Sequence, residues 1–266
     1  RHRVDRQPEL LQVLHVDVVV HVGFVPDRRD LHAAPPVRLV GLVGDAVPST
    51  EGILIDLPYL SEDGTSVALG VGVDRPMTAE SYVESVHVYA LKNPAPEVAD
   101  YFFSPLSGRA EIATRIRINE TMPIAVIARI STGEVIVAER EIRIVTIGCL
   151  TNAATYATTD VMLTRVRVPE RFVPGIPGEI TTLINHPMET GLRTTLAGEV
   201  IPRNIVTRFL ASANLATVFE ARFYSSVAVN PYLRFFIAPP QSGELVLRWE
   251  EDTGLAAIER RPILVG

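Results

Sequence analysis

What the chain has least of is cysteine: one, Cys149, among 266 residues. A single thiol excludes any disulfide framework within the chain and any cysteine-rich zinc or iron-sulfur centre. Lysine is equally scarce, with Lys92 alone, and the acidic residues, 31 against 25 basic ones, leave a net charge of -6. That balance argues against a nucleic-acid partner, which needs a clustered basic surface to displace counterions. Long apolar runs are missing too. The stretch Leu10 to Val25 is interrupted by His15, Asp17 and His21, so nothing reaches the roughly 18 apolar residues of a membrane-spanning helix. Nor does the start, at Arg1, have the basic, apolar and small-residue succession of an export signal. The expectation is a processed or truncated form.

What is present divides unevenly. Residues 1–50 hold twelve of the 34 valines and four of the six histidines, but no isoleucine, whereas the remaining 216 residues hold 20. A boundary is therefore expected near Thr50, with 1–50 an atypical leader, either poorly structured or a wrongly read start. His2, His15, His21 and His32 could be offered as a metal site, but their spacing suits no single face, and no metal is expected.

Beyond Glu51, short segments of period-two alternation sit between Gly, Pro, Asn and Asp, the pattern of strands. The candidates are 66–73, 84–91, 110–118, 123–130 and 135–144, then 179–185, 205–211, 218–223, 233–237, 244–249 and 256–264. Within 110–118, Ile112, Ile116 and Ile118 share parity and alternate with Arg115 and Arg117, which predicts one apolar and one wet face. The fold class that follows is all-β, two immunoglobulin-like β-sandwich domains in tandem. Their boundaries are expected at 51–149 and 163–266, with 150–162, rich in small polar residues, as a linker.

Cys149 stands at the entrance of that linker, directly after Gly148. A lone cysteine is by default inert packing, but a glycine neighbour and a polar connection are what a thiol presented to partners requires. Four histidine and acidic groups are weaker. His186 could serve Cys149 as a base, yet no orienting partner is visible and a His-Pro step at a strand end reads first as a hydrogen-bonded turn. His87 reads as a half-buried strand residue. Glu250-Glu251-Asp252 and Glu139-Arg140-Glu141 read as solvated turns or faces. No Walker loop, GxGxxG, GxSxG or HExxH occurs, so enzyme chemistry has little support.

Residues 91–105 (LKNPAPEVADYFFSP) and 113–135 (ATRIRINETMPIAVIARISTGEV), ending in Ile147-Gly148-Cys149, resemble SoxY, the sulfur-carrying subunit of the bacterial thiosulfate-oxidising Sox system. Residues 183–191 (LINHPMETG), 200–206 (VIPRNIV), 230–236 (NPYLRFF) and 242–254 (SGELVLRWEEDTG) resemble its partner SoxZ. The resemblance implies a periplasmic, non-enzymatic carrier, without cofactor, in which sulfur intermediates ride covalently on Cys149 while separate enzymes add, oxidise and hydrolyse them. Gly148 matches one glycine of the family's Gly-Gly-Cys-Gly-Gly arm; Ile147 and Leu150 depart from it. In the family this arm ends the chain, whereas here it continues, so an arm tethered at both ends is expected to reach less far. The fused arrangement looks most like the SoxYZ-like carriers associated with quinoprotein alcohol dehydrogenases. The alternative is a periplasmic binding or scaffold module of such a dehydrogenase system, with no sulfur cargo.

Overall fold

The computed structural model describes residues 48–145, 160–195 and 197–266, all within one compact unit, Ala34–Gly266. Eight strands come first: β1 (Ile53–Asp56), β2 (Leu60–Ser61), β3 (Val67–Val73), β4 (Val83–Ala90), β5 (Glu97–Phe103), β6 (Glu111–Ile116), β7 (Met122–Ile130) and β8 (Val135–Ile144). Seven follow: β9 (Thr164–Arg167), β10 (Gly178–Ile184), β11 (Val206–Ala213), β12 (Ala216–Phe223), β13 (Tyr232–Ile237), β14 (Gly243–Glu251) and β15 (Ala256–Ile263). Among the described residues the one helical element is a 3-10 turn, Pro105–Ser107, and no helix is long and apolar enough to cross a membrane.

The strands form two sheets over a shared core. Six are ordered β1-β3-β6-β13-β10-β9 and nine are ordered β15-β14-β11-β12-β5-β4-β7-β8-β2. The second half thus divides its seven strands three and four, the proportions of an immunoglobulin constant-type sandwich. The protein is all-β with two such halves, as the alternation predicts. The structure adds how they join: both sheets run continuously from one half into the other. In the larger sheet β5 pairs with β12 from Phe103 opposite Phe219 to Ala99 opposite Phe223. In the smaller, β6 pairs with β13 at Thr114 opposite Leu233 and Ala113 opposite Arg234. One apolar cluster crosses the junction, with Phe219 stacked on Phe235 at 4.5 Å and meeting Phe103 edge-on at 5.3 Å.

Four strands carry no periodic signal. β2 is two residues long, and β1 and β9 have four each. β5 is different: Val98, Ala99, Asp100 and Tyr101 are all buried, because the strand lies in mid-sheet with both faces covered. Alternation vanishes when neither face meets water. The same reason explains the near-continuous apolar β7, whose Ala125 and Ile127 join Tyr89, Val135 and Val137 in a second cluster on the opposite face from the main core.

Arg117 corrects the expectation of a wet face at residues 110–118. Arg115 is exposed as predicted, but Arg117, one residue past β6, is 1% exposed. Its backbone N–H donates to Ser226 O at 2.7 Å, which turns the strand end into the other half.

Candidate functional site

Cys149 and Gly148 lie outside the described residues, as do His2, His15, His21 and His32 and most of the linker 150–162. The base from which the cysteine segment departs is described in full. β8 is clasped on two sides up to Val145. On one side β2 runs parallel to it, Leu60 beside Arg143 and Ser61 beside Ile144, with Arg143 N–H donating to Tyr59 O at 2.9 Å and Val145 N–H to Ser61 O at 3.1 Å. On the other the Thr121 hydroxyl accepts from Ile144 N–H at 3.0 Å. Ile142 and Ile144 point into the core, so the strand cannot slide without exposing them. Arg143 and Val145 face outward. The Arg143 guanidinium lies 5.0 Å from the Tyr59 ring centroid, a cation-π distance.

The chain returns at Asp160. There Leu163 N–H donates to Asp160 O at 3.0 Å, Met162 N–H to Asn185 O at 2.8 Å and Asn185 N–H to Leu163 O at 2.9 Å, just before β9. Cys149 is four residues on from Val145, and Asp160 eleven on from Cys149. At full extension these spans are about 14 Å and about 38 Å. The tether from Val145 is therefore the tighter one, and the limit on reach comes mainly from the first half.

His186 is fully buried. Its Nδ1 accepts from Met188 N–H at 3.0 Å, which places the ring proton on Nε2, and that nitrogen meets Glu251 Oε2 at 2.8 Å. Both nitrogens are occupied by protein groups, so the ring holds a turn and offers no nitrogen to a thiol. Glu251 is the orienting partner that sequence reasoning lacks. It is 5% exposed, not solvated, because β14 carries it under the His186 turn, where the Thr253 hydroxyl also donates to it. Glu139, Arg140 and Glu141 are exposed as expected.

That turn belongs to a polar seam between the halves, which sequence reasoning misses. Arg117 of the first half donates to Met188 O at 2.7 Å, Ser225 O at 3.2 Å and Pro187 O at 3.3 Å, all in the second. Met188, at φ 49° in the left-handed region, is held there by these bonds and by His186. Asn93 Nδ2 donates to Arg117 O at 2.9 Å and to Ser226 Oγ at 2.8 Å, and Ser226 Oγ donates to Ala95 O at 3.1 Å. Farther along, His87 Nδ1 meets Asp100 Oδ1 at 2.7 Å, and Asp100 Oδ2 accepts from Tyr224 OH across the seam at 2.7 Å. His87 Nε2 meets Ser85 Oγ at 2.9 Å, which completes the hydrogen-bond order of a hydrolytic triad. Yet Ser85, His87 and Asp100 are all at most 5% exposed, so the serine is closed to substrate and the array joins strands. His87 is more buried than expected.

Among the described residues no group of three histidine, cysteine, aspartate or glutamate side chains could hold a metal ion.

Comparison with known proteins gives two family matches. Residues 40–149 match the model of sulfur oxidation protein SoxY, and residues 166–260 match that of sulphur oxidation protein SoxZ. The first match ends on Cys149 and begins within the atypical leader. No curated protein matches. Among solved structures the chain is similar to the sulfur carrier protein SoxY from Chlorobium limicola f thiosulfatophilum, with 22% identity over 41% of this chain and 94% of that one, at a TM-score of 0.35. It is also similar to a superoxide reductase (neelaredoxin) from Ignicoccus hospitalis, with 15% identity over 36% and 81% of the two chains, at a TM-score of 0.33.

Proposed function

Because the chain belongs to the SoxY and SoxZ families, joined here in one polypeptide, we propose that it is a sulfur carrier that holds oxidation intermediates covalently on Cys149 and presents them to Sox-type partner enzymes. The observation that carries this reading is positional. The only cysteine is the last residue of the SoxY match, five residues past the end of a strand clasped on both sides. A firm base and a short tether present a thiol within a defined radius, and Gly148 beside it leaves the sulfur approachable.

The chemistry asked of the thiol is simple. Coupling thiosulfate to it forms one S–S bond, releases one proton and gives two electrons to the partner enzyme. Hydrolysis of the terminal sulfonate then consumes one water, releases sulfate and one proton, and leaves a persulfide on Cys149. The attacking species is the thiolate. Every catalytic group is supplied by the partners, so the protein itself is a carrier and not an enzyme, working in the periplasm with no resident cofactor. The association with a quinoprotein dehydrogenase system is the finer part of this proposal and concerns the choice of partner.

The test is intact-protein mass spectrometry before and after mild reduction, on protein from cells grown with thiosulfate. Increments matching sulfur, sulfite or thiosulfate, confined to the Cys149 peptide and absent from Cys149→Ser, are expected. A Cys149→Ser protein that still accepts cargo overturns the reading. So does a Cys149 that is unmodified and resists alkylation until the protein unfolds, which would favour the scaffold alternative.

A further inference from the structure

Scattered exposed apolar side chains need no explanation, but several that converge at one place do. At the base of the cysteine segment Tyr59 is 60% exposed, Leu60 50% and Val145 62%. They are neighbours: Leu60 is in register with Arg143, two residues before Val145, so Leu60, Arg143 and Val145 emerge from one face of the paired strands. Tyr59 is drawn against them by the Arg143 stack. The guanidinium is also 3.7 Å from Glu141, so the local charge is paired and the face is apolar in character. It lies on the outermost strand of the nine-stranded sheet. An edge strand with open backbone groups is normally protected by charge; here an exposed leucine lies on it, with the exposed Tyr59 just before it and Val145 just past the end of its neighbour β8.

Chain length says what covers this face. The Cα of Cys149 lies within about 14 Å of Val145 in any conformation. An active site that reacts with that sulfur must come at least as close. A folded enzyme whose catalytic centre is this near Val145 brings the rim of its active-site mouth against the strand end itself. We infer that Tyr59, Leu60, Arg143 and Val145 form the docking face for the enzymes that load and unload Cys149, and that those enzymes meet it with an apolar rim. This rests on the carrier reading and adds the contact that selects the partner. Because the tether is short, every partner in the sequence of reactions uses the same face in turn, and only one can occupy it at a time.

The experiment separates docking from thiol chemistry. Wild type, Val145→Asp, Leu60→Glu and Leu215→Asp are each offered to purified Sox-type enzymes of a thiosulfate-oxidising bacterium with thiosulfate, and loading of Cys149 is followed by mass. The same proteins are alkylated with iodoacetamide, which needs no docking. Leu215 is 96% exposed in the turn between β11 and β12, and β12 lies five strands from β2, roughly 24 Å away. For Val145→Asp and Leu60→Glu, kcat/KM for loading should fall about 10- to 50-fold, with alkylation within about twofold of wild type and Leu215→Asp unaffected. Wild-type loading rates in both arm-base variants, or an equal loss in Leu215→Asp, would overturn the docking face while leaving the carrier intact. A wild type that none of the enzymes loads would instead overturn the carrier reading, and the docking face with it.

Discussion

The seam between the halves and the base of the cysteine segment are built in opposite ways. At the seam, polar groups from both halves are buried together: Arg117 bonds to three carbonyls across it, and Asp100 joins His87 of its own half to Tyr224 of the other. At the arm base, polar backbone is paired along one strand while the apolar side chains Tyr59, Leu60 and Val145 face water. Buried polar groups with partners impose one geometry, because any other arrangement leaves a group unsatisfied. Exposed apolar groups impose none and gain by meeting a second surface. The difference teaches a division of labour: the seam joins two halves into one compact unit, and the arm base leaves apolar surface uncovered.

Breaking the seam should therefore cost stability without touching the thiol. The largest effect is expected for Arg117→Met, which leaves the carbonyls of Pro187, Met188 and Ser225 without their donor. A loss of about 3–5 kcal/mol is expected, read as a lower midpoint in urea, with alkylation of Cys149 in the folded protein unchanged. A loss under about 1 kcal/mol would mean that the apolar cluster alone holds the halves.

Tyr224→Phe is the sharper, smaller test, since it removes only the hydroxyl that Asp100 accepts from. About 1.5–3 kcal/mol is expected for a hydrogen bond to a charged group. The same change coupled with Asp100→Asn should be less than additive, as a double-mutant cycle in urea would register.

The smallest effect is at the seam's solvent rim. Burial pushes the Glu220 carboxyl up, but hydrogen bonds from Arg208 and Arg222 outweigh it and hold the carboxyl below the usual range. Arg222 also lies 4.7 Å above the Phe102 ring of the first half. A carboxylate depressed in the folded state adds stability above its unfolded value, about 4.3, and that share is lost as pH falls through the folded value. Glu220→Gln should thus be less stable than wild type at pH 7 and converge with it as pH falls through the acid range in denaturant titrations. A constant offset across that range would assign the effect to packing.

Much of this was legible beforehand. Eleven of the strands are legible as short apolar or alternating runs between turn residues, from Val67–Val73 to Ala256–Ile263, most of them because one face meets water. The placement of Cys149 between two strand-rich halves was legible too. β5 was not, since a strand buried on both faces has no period, and β5 is the strand on which the seam depends. Arg117 and Glu251 were misread for a related reason. A charged residue at an alternating or turn position is assigned to solvent by default, and only a neighbour distant in sequence, Met188 for one and His186 for the other, makes burial affordable.

The sequence by itself determined that this is an all-β protein of two halves with one thiol between them, because side-chain parity and the position of a unique residue are local properties. Tertiary structure alone decided that the halves share both sheets, that the motifs around Asn93, Arg117, His186 and Ser226 meet in one network, and that the strand before Cys149 is clasped up to Val145. Those are contacts between residues up to 133 positions apart, and no periodicity within a strand encodes which distant partner satisfies a buried donor.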